Sequence, residues 1–267
     1  MPYHYKCPSK INLFLNVLNK RPDGYHSIQS IFQLINLYDS LKLSLRNDDK
    51  VTIKCNKKEL ESDNIIFDAI DLFKKKHGPK KIGLDIILKK NIPLGSGLGG
   101  GSSNAASTLL ALNDIFEKNI SMSRLLKLAL SIGSDVPFFI RNKNAWVEGR
   151  GEVITEIFLK PHWFVIIFSK QKISTKKMYD LLNIHSDPDI YDYDDFISGA
   201  LCNVFENITF RRYPDIKKSF DLLSEYGQPR MSGTGGTIFL PLNSENDALE
   251  VLSKLPPGQN AKIVKSL

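Results

Sequence analysis

The stretch Pro93-Leu94-Gly95-Ser96-Gly97-Leu98-Gly99-Gly100-Gly101-Ser102-Ser103 decides how this chain is interpreted, and five of its eleven residues are glycine. A strand is predicted before it over Ile82–Leu88, and a helix rich in Ala and Leu is predicted after it, from about Ser102 to Asn113. Glycines let backbone N–H groups approach an anion closely, and a helix N-terminus adds unpaired donors and a favourable dipole. The loop therefore predicts a site for a di- or triphosphate, where Ser102 and Ser103 cap the helix or contact phosphate oxygen and Mg²⁺.

Other glycine-rich motifs fit this loop badly. The Walker pattern requires Lys and then Ser or Thr after its last glycine, and here Gly101 is followed by Ser102. The dinucleotide-binding fingerprint matches formally at Gly95, Gly97 and Gly100, but a second helical pattern follows where that fold needs a strand carrying an acidic residue. The His-Arg-Asp and Asp-Phe-Gly tripeptides of protein kinases do not occur in the chain.

Composition narrows the class of protein. The chain has 267 residues, 42% hydrophobic and 24% charged, which predicts one large or two modest domains. Its longest purely apolar run, Trp163–Phe168, is far shorter than a membrane span, and no signal peptide is recognisable. Three widely spaced cysteines, Cys7, Cys55 and Cys202, favour reduced thiols in a cytoplasmic protein and argue against a disulfide scaffold or a zinc finger.

The net charge of +7 is compatible with binding to nucleic acid, with binding to phosphorylated small molecules, or with a role in solubility alone. The lysines occur in short runs such as Lys74–Lys76, without interleaved aromatic residues. A solvated basic face is therefore favoured over a nucleic-acid surface, and a mildly positive field also suits anionic nucleotides.

The order of predicted elements indicates an α+β protein of two domains. Extended, alternating runs dominate the first fifty residues, and a helix is predicted over Asn64–Lys76 with Ser62 or Asp63 as its cap. In the second half, helices are predicted over Phe196–Phe205 and Ile216–Tyr226. We place the domains at residues 1–155 and 156–267.

A second glycine-rich loop, Met231-Ser232-Gly233-Thr234-Gly235-Gly236-Thr237, precedes a predicted strand instead of a helix. Alone it is equally well explained as a plain turn. Together with the first loop it suggests two backbone clamps on one ligand.

Two charged residues stand in apolar surroundings. Lys10 lies in the first predicted strand, and Asp135 follows a predicted helix just before the apolar run Pro137–Ile140. A buried Lys beside a buried Asp is a plausible pair for phosphoryl transfer, in which Asp accepts or orients a hydroxyl proton and Lys keeps Asp ionised and steadies the phosphate. Asp135 is also explained as an ordinary turn residue, and spacing alone does not bring the two together.

Three motifs occur together in this chain: the opening Pro8-Ser9-Lys10-Ile11-Asn12-Leu13-Phe14-Leu15, the loop that continues into Ser102-Ser103-Asn104-Ala105-Ala106, and the late Ser232–Gly236 loop. Jointly they resemble the GHMP small-molecule kinases. Within that superfamily, the turn Arg21-Pro22-Asp23-Gly24-Tyr25-His26 and the triple glycine resemble the branch that uses ATP to phosphorylate the 2-hydroxyl of 4-diphosphocytidyl-2-C-methyl-D-erythritol in non-mevalonate isoprenoid biosynthesis. The resemblance implies an N-terminal domain of ribosomal-S5-like type, a C-terminal ferredoxin-like α+β domain and a site between them.

Site residues follow from the resemblance by position. It implies Lys10 and Asp135 as the catalytic pair and Asn12 as a nearby polar contact. Tyr25 would stack on cytosine and His26 would hydrogen-bond the edge of that base.

The nucleotide contacts are implied in the same way. Asn64 and Lys90 would lie near the adenine of ATP, and the loop from Pro93 to Ser103 would wrap its phosphates. Thr175 and Tyr179 would close the other side of the cytosine pocket, where the family often has Phe at the last position and a proline beside the Thr.

The metal, the partners and the alternative functions form the last group of expectations. An acidic Mg²⁺ ligand, which many relatives take from the region after the first helix, has no candidate here apart from Asp135, so the metal would be held mainly through ATP oxygens and water. The expected partner is a small molecule, with no nucleic acid and no membrane, for a monomer or weak homodimer. The alternatives are another GHMP-type kinase acting on homoserine or a mevalonate derivative, and a non-catalytic S5-like module that docks RNA through its basic face.

Overall fold

The computed structural model describes residues 2–171, 173–183, 188–199 and 201–267. The strands in this part of the chain are β1 (Tyr3–Lys20), β2 (His26–Leu45), β3 (Val51–Cys55), β4 (Leu84–Lys89), β5 (Ala145–Gly149), β6 (Val153–Glu156), β7 (Trp163–Phe168), β8 (Arg230–Ser232), β9 (Thr237–Leu242) and β10 (Ala261–Lys265). The helices are α1 (Ile65–Lys76), α2 (Gly100–Ile115), α3 (Met122–Ile132), α4 (Val136–Arg141), α5 (Thr175–Asp180), α6 (Tyr193–Ile197), α7 (Glu206–Arg212), α8 (Pro214–Ser224) and α9 (Glu245–Lys254).

The chain forms two compact units that interleave along the sequence. The first unit comprises Met1–Ser9, Leu37–Ile92 and Gly99–Asn142, and the second comprises Lys10–Asn36, Pro93–Leu98 and Lys143–Leu267. They interleave because β1 and β2, of 18 and 20 residues, each contribute to both. The division into domains 1–155 and 156–267 stays a prediction.

The first unit is built from strands and amphipathic helices. Strand β3 lies parallel to β4, which pairs antiparallel with the second half of β2. Helix α1 packs on α2 and buries its apolar face. Its cap is Asn64, whose side chain accepts a hydrogen bond from the backbone N–H of Ile66 at 3.1 Å, so the prediction of Ser62 or Asp63 as the cap is wrong. Asn64 satisfies one of the N–H groups that a helix start leaves unpaired.

Helix α2 begins earlier than predicted. Gly99 precedes it with φ of +70°, in the left-handed region that glycine adopts at no steric cost, and Gly100 and Gly101 form its first turn. Small residues then allow close packing, and Ala105, Ala106 and other side chains of the helix are buried. The last three glycines of the loop therefore shape a helix N-terminus.

The second unit contains an antiparallel sheet in the order β10-β7-β9-β8. Numbered along the chain, this is the order 4-1-3-2, with helices between the first and second strands and α9 between the third and fourth. That arrangement is the split βαβ of ferredoxin-like folds, which confirms the prediction for the C-terminal part. Residues Phe164–Phe168 of β7 are all buried, as expected for a central strand.

One predicted helix is wrong. The interval Phe196–Phe205 is not a continuous helix, because α6 ends at Ile197 and α7 begins only at Glu206. Gly199 follows α6 with φ of +83°, a conformation that ends helices, and the Asn203 side chain accepts the backbone N–H of Phe205 at 3.0 Å. Local capping here overrides the apolar periodicity of the sequence.

Within the described residues, none of the helices has the length and apolar character needed to cross a membrane. The thiols of Cys7, Cys55 and Cys202 are free, with Cys7 buried. Burial raises the pKa of the Cys7 thiol to about 11, so that thiol stays protonated at neutral pH.

Candidate active site

Lys10 is held inside the second unit by its strand neighbours. Its ammonium donates a hydrogen bond to Asn12 Oδ1 at 2.6 Å and lies 4.4 Å from the ring centre of Phe32. Asn12 in turn donates from Nδ2 to Ser30 Oγ at 2.9 Å. Lys10 and Asn12, both predicted site residues, therefore belong to one buried polar network.

The first half of the glycine-rich loop contacts the second glycine-rich loop. The Lys10 backbone N–H donates to the Leu98 carbonyl at 3.0 Å, and Ser232 Oγ lies 3.1 Å from the Gly97 carbonyl and accepts the Asn12 backbone N–H at 3.1 Å. Gly97 has φ of +77°, and a Cβ there would lie 2.5 Å from the Ser232 carbonyl. Ser232 thus ties both loops to β1, close to Lys10.

Two residues that were not predicted from the sequence, Asn203 and Arg230, hold the second loop and the strand before it in place. Asn203 Nδ2 donates to the carbonyls of Met231 and Gly233 at 2.9 and 2.7 Å. The Arg230 guanidinium donates to the Leu13 carbonyl at 2.7 Å, which holds the start of β8 against β1. The sequence signal for Asn203 is its position among apolar residues. An amide side chain buried in such a place needs hydrogen-bond partners, which here are backbone groups.

The second half of the first loop belongs to the first unit and opens helix α2. The Ser103 backbone N–H donates to the Gly99 carbonyl at 2.9 Å. Ser103 Oγ is buried and has no hydrogen-bond partner among the described residues. Nothing crowds Gly101, since a Cβ there would meet only Ile65 Cγ2, at 3.9 Å. A helix N-terminus with an unsatisfied hydroxyl and open space at a glycine is suited to an anionic ligand.

Lys90 and Asn64, predicted near adenine, also lie in the first unit, and both are engaged by intramolecular partners. The Lys90 ammonium forms a buried ion pair with Asp39 and donates to Asn104 Oδ1 at 2.9 Å. Asn64 caps α1 and donates from Nδ2 to the Leu60 carbonyl at 3.0 Å. Asp39 and Asn104 were not identified as site residues from the sequence.

Asp135 immediately precedes α4 in the first unit and is half-buried. Its carboxylate does not cap that helix. Lys10 lies in the second unit, and the pairing of Lys10 with Asp135 stays a prediction.

The Pro-Asp-Gly turn presents Tyr25 to solvent. The Arg21 backbone N–H donates to the Tyr25 carbonyl at 2.7 Å, and Gly24 takes φ of +83°. The Tyr25 side chain is 48% exposed, and the guanidinium carbon of Arg150 lies 4.5 Å from its ring centre. An exposed aromatic ring backed by a guanidinium forms a rigid surface on which a planar group can stack.

His26, the next residue, packs against Tyr179. Their ring centres are 4.9 Å apart, and Tyr179 also meets Phe205 edge-on at 4.8 Å. Burial lowers the pKa of His26, with Lys20 adding to the effect and Asp180 opposing it, so the imidazole is neutral at pH 7. Thr175 Oγ1 lies 3.5 Å from Thr234 Oγ1 of the second loop. The structure thus brings His26 and Tyr179 together and connects Thr175 to the second loop.

Comparisons with known proteins show which family the chain resembles. Family models for the GHMP kinases N terminal domain and the GHMP kinases C terminal region match residues 64–143 and 192–259. The first match contains the loop that opens α2, and the second contains the loop before β9.

Named relatives cover almost the whole chain. It is 35% identical to the 4-diphosphocytidyl-2-C-methyl-D-erythritol kinase of Francisella philomiragia subsp. philomiragia, over 99% of this chain and 96% of the relative. It is 38% identical to the enzyme of that name from Buchnera aphidicola subsp. Schizaphis graminum, over 98% and 92%. A crystal structure of 4-(cytidine 5'-diphospho)-2C-methyl-D-erythritol kinase superposes with a TM-score of 0.84 at 27% identity, covering 99% of both chains.

Proposed function

Because this chain belongs to the 4-diphosphocytidyl-2-C-methyl-D-erythritol kinase family of the GHMP kinases, we infer that it transfers the γ-phosphate of ATP to the 2-hydroxyl of 4-diphosphocytidyl-2-C-methyl-D-erythritol. The reaction is a step of non-mevalonate isoprenoid precursor biosynthesis. The observation that carries the acceptor assignment is the exposed Tyr25 ring beside a neutral His26, because a nucleobase needs such a surface and homoserine or mevalonate does not.

ATP phosphates are assigned to the loop Pro93–Ser103. Backbone N–H groups at the start of α2 supply donors, and the helix dipole favours negative charge there. The open space at Gly101 supports this assignment, since a phosphate can approach the backbone where no side chain intervenes. The backbone of Lys10 contacts the other half of the loop at Leu98, and its ammonium is the cation proposed to act on the phosphates.

The chemistry is a direct transfer. Asp135 takes the proton of the acceptor 2-hydroxyl, and the oxygen forms a bond to the γ-phosphorus. The bond from that phosphorus to the β–γ bridging oxygen breaks, and ADP leaves with the bonding electrons. Lys10 steadies the negative charge on the transferred group, while Asn12 fixes the position of the ammonium.

Mg²⁺ is proposed as the companion of ATP. The described residues contain no group of three or more His, Cys, Asp or Glu side chains placed to hold a metal. Mg²⁺ keeps several waters and binds through one or two protein oxygens and the substrate phosphates, so it does not need a protein cage of its own. We propose that the ion is held mainly through ATP oxygens and water. When bound, the ion would neutralise charge on the phosphate oxygens.

Cytosine is proposed to stack on Tyr25, with the Tyr179 side of the pocket opposite. A neutral imidazole has one donor and one acceptor nitrogen, so His26 can hydrogen-bond the edge of the base. Thr175 begins the helix that carries Tyr179, and its Oγ1 lies 3.5 Å from Thr234 Oγ1 of the second loop.

Adenine is proposed to lie beside Asn64 and Lys90. The polar atoms of both side chains are occupied within the protein, so they shape the pocket instead of reading the edge of the base. We further propose a cytoplasmic enzyme that is a monomer or weak homodimer and has no nucleic-acid partner.

A coupled ADP-release assay tests the proposed reaction. The purified chain is given ATP, Mg²⁺ and, in separate reactions, 4-diphosphocytidyl-2-C-methyl-D-erythritol, homoserine or mevalonate. We expect ADP release with the first alcohol alone. Release with homoserine or mevalonate would reassign the acceptor, and the absence of release with all three, together with RNA binding, would favour the non-catalytic module.

A further inference from the structure

A buried polar cluster connects the two covalent ends of the phosphate-binding loop. We propose that Asp39, Lys90 and Asn104 act as positioning residues that fix these ends before ATP binds. This proposal rests on the proposed function only in taking Pro93–Ser103 as the phosphate loop. The cluster itself lies entirely within the first unit.

Asp39 holds the chain just before the loop. Its Oδ1 accepts the backbone N–H groups of Asn91 and Ile92 at 2.8 and 2.9 Å, and these are the last residues before Pro93. Asp39 is fully buried, so its carboxylate is directed by the protein alone. Hydrogen bonds from backbone N–H groups to a charged carboxylate are among the stronger ones in proteins.

Asn104 holds the other end. It lies in the first turns of α2, one residue after the loop, and donates from Nδ2 to Asp39 Oδ2 at 3.0 Å. One carboxylate therefore binds the residues that enter the loop and the helix that leaves it.

Lys90 completes the cluster and keeps it neutral. Its ammonium pairs with Asp39 and donates to Asn104 Oδ1 at 2.9 Å, and the Lys90 side chain is only 2% exposed. Its backbone is fixed as well, because Lys90 N–H donates to Asn56 Oδ1 at 2.7 Å and Asn56 Nδ2 donates back to the Lys90 carbonyl at 3.0 Å. An ammonium so engaged acts on ATP through the loop and not by direct contact.

Gly100, in the last part of the loop, also lies close to the residues that precede the loop. A Cβ on Gly100 would lie 2.9 Å from Ile92 Cγ2 and 3.1 Å from Lys90 Nζ, so the glycine permits this close approach. An apolar trio could fill the same volume with similar stability. What the polar cluster adds is direction, because each hydrogen bond fixes the orientation of a named backbone segment. Preorganised donors bind an anion without paying again for their ordering.

The test compares Asn104→Ala with Thr108→Ala. Thr108 is a matched control: it is buried in the same helix one turn later, and its hydroxyl donates one hydrogen bond, to the Asn104 carbonyl at 2.8 Å, without touching Asp39 or Lys90. Both variants are titrated calorimetrically with ATP and Mg²⁺ in the absence of acceptor, and their melting temperatures and steady-state constants are measured.

We expect both variants to melt at similarly reduced temperatures. Asn104→Ala should raise the ATP Kd about tenfold, the effect of losing ~1.4 kcal/mol of binding energy, with the acceptor KM unchanged. Thr108→Ala should leave both constants at the wild-type value. Equal ATP Kd values for the two variants, or parallel losses of ATP and acceptor affinity in Asn104→Ala, would overturn the proposal.

A second variant keeps the test decisive if Asn104→Ala does not fold. Asn104→Ser retains a polar group on a shorter side chain and should give an ATP Kd between those of wild type and Asn104→Ala. Wild-type ATP binding in a folded Asn104→Ser protein would equally overturn the proposal. Because the titration omits the acceptor, an error in the acceptor assignment would leave this result interpretable.

Discussion

The first glycine-rich loop continues into the N-terminus of α2, whereas the second continues into strand β9. In the second loop the glycines are crowded: a Cβ at Gly235 would lie 2.7 Å from Ile173 Cδ1, and one at Gly236 would lie 2.7 Å from the Gly95 carbonyl. In the first loop Gly97 is crowded in the same way, but Gly101 has open space. Similar composition thus occurs with two different surroundings, close packing of backbones at Gly97, Gly235 and Gly236 and open space at Gly101, where we propose that a phosphate approaches. Glycine content alone does not separate them.

The largest effect should come from a residue outside both loops. The loops supply neutral backbone groups, so proton removal requires a side chain, and we assign it to Asp135. A positioned base contributes about 10²–10⁴ in rate, and Asp135→Asn should lower kcat by such a factor with little change in either KM. Lys10→Ala should cost a comparable factor, and the double variant should lose less than the product of the two.

Steady-state kinetics on the folded variants measure kcat and both KM values, and Asp221→Asn is the control. Asp221 pairs with Lys217 on the exposed face of α8, where such pairs contribute little. Lower melting temperatures in the Asp135 and Lys10 variants combined with normal kcat would assign the two residues to structure alone.

A crowded glycine should matter to folding. Gly97→Ala would combine a left-handed φ with a Cβ 2.5 Å from the Ser232 carbonyl. The two penalties together predict a loss of about 2–5 kcal/mol in the free energy of unfolding, to be measured by urea denaturation. An unchanged unfolding midpoint would show that the contact between the loops is not the reason for this glycine.

A substitution in the proposed acceptor pocket should change acceptor binding without changing ATP binding at the loops. Tyr25→Ala removes the proposed stacking surface, and one such contact is worth ~1–3 kcal/mol. The acceptor KM should rise accordingly while the ATP KM stays constant. Tyr3→Ala, which removes another exposed tyrosine, is the control and should change neither constant. Equal weakening of ATP and acceptor by Tyr25→Ala would contradict the assignment.

A substitution at Gly101, where the structure has open space, should change ATP binding and leave stability unchanged. Gly101→Val adds a side chain where the free protein has room, so the melting temperature should not fall. The ATP KM should rise about tenfold, since a valine side chain that keeps the phosphate from one backbone N–H removes a hydrogen bond of ~1.4 kcal/mol. Gly101→Ala should give a smaller rise. Normal ATP binding in the valine variant would remove this part of the loop from the phosphate site.

The smallest effect concerns pH. Because burial lowers the pKa of His26 below its ordinary value of about 6.5, the neutral imidazole persists at and somewhat below that pH. The acceptor KM should be constant from pH 8 to about 6.5 and rise a few-fold at lower pH, as protonation removes the acceptor nitrogen. The same protonation disfavours the folded state as pH falls. His26→Gln should flatten the KM profile, and an identical profile in that variant would assign the titration to another group.

The sequence was sufficient for features whose partners are close along the chain. The loop before α2 and the helix itself could be predicted, with the start placed two residues late, because glycine content and the Ala-rich pattern are local signals. The ferredoxin-like arrangement came from the family resemblance. The cap of α1 was predicted at Ser62 or Asp63, one or two residues before the observed cap, Asn64.

Features that depend on distant partners were missed. Asp39 is a buried charge inside strand β2, where Lys90 and the backbone N–H groups of Asn91 and Ile92 satisfy its carboxylate. The partner Lys90 is 51 residues away, and no local pattern specifies that contact. The roles of Asn104 and Asn203 were hidden for the same reason, since each bonds groups that only the fold brings near.

The interleaving of the two units has a consequence for synthesis on the ribosome. Every segment of the first unit has been translated once Asn142 is made. The second unit, by contrast, joins residues that are far apart in sequence; for example, Asn36 Oδ1 accepts a hydrogen bond from the Lys265 backbone N–H. Translation adds about 5–20 residues per second, so the early part of β1, with Lys10 and Asn12, must wait several seconds for the segments that cover it. The nascent chain therefore leaves this part of β1 uncovered throughout that interval, while every segment of the first unit is already present.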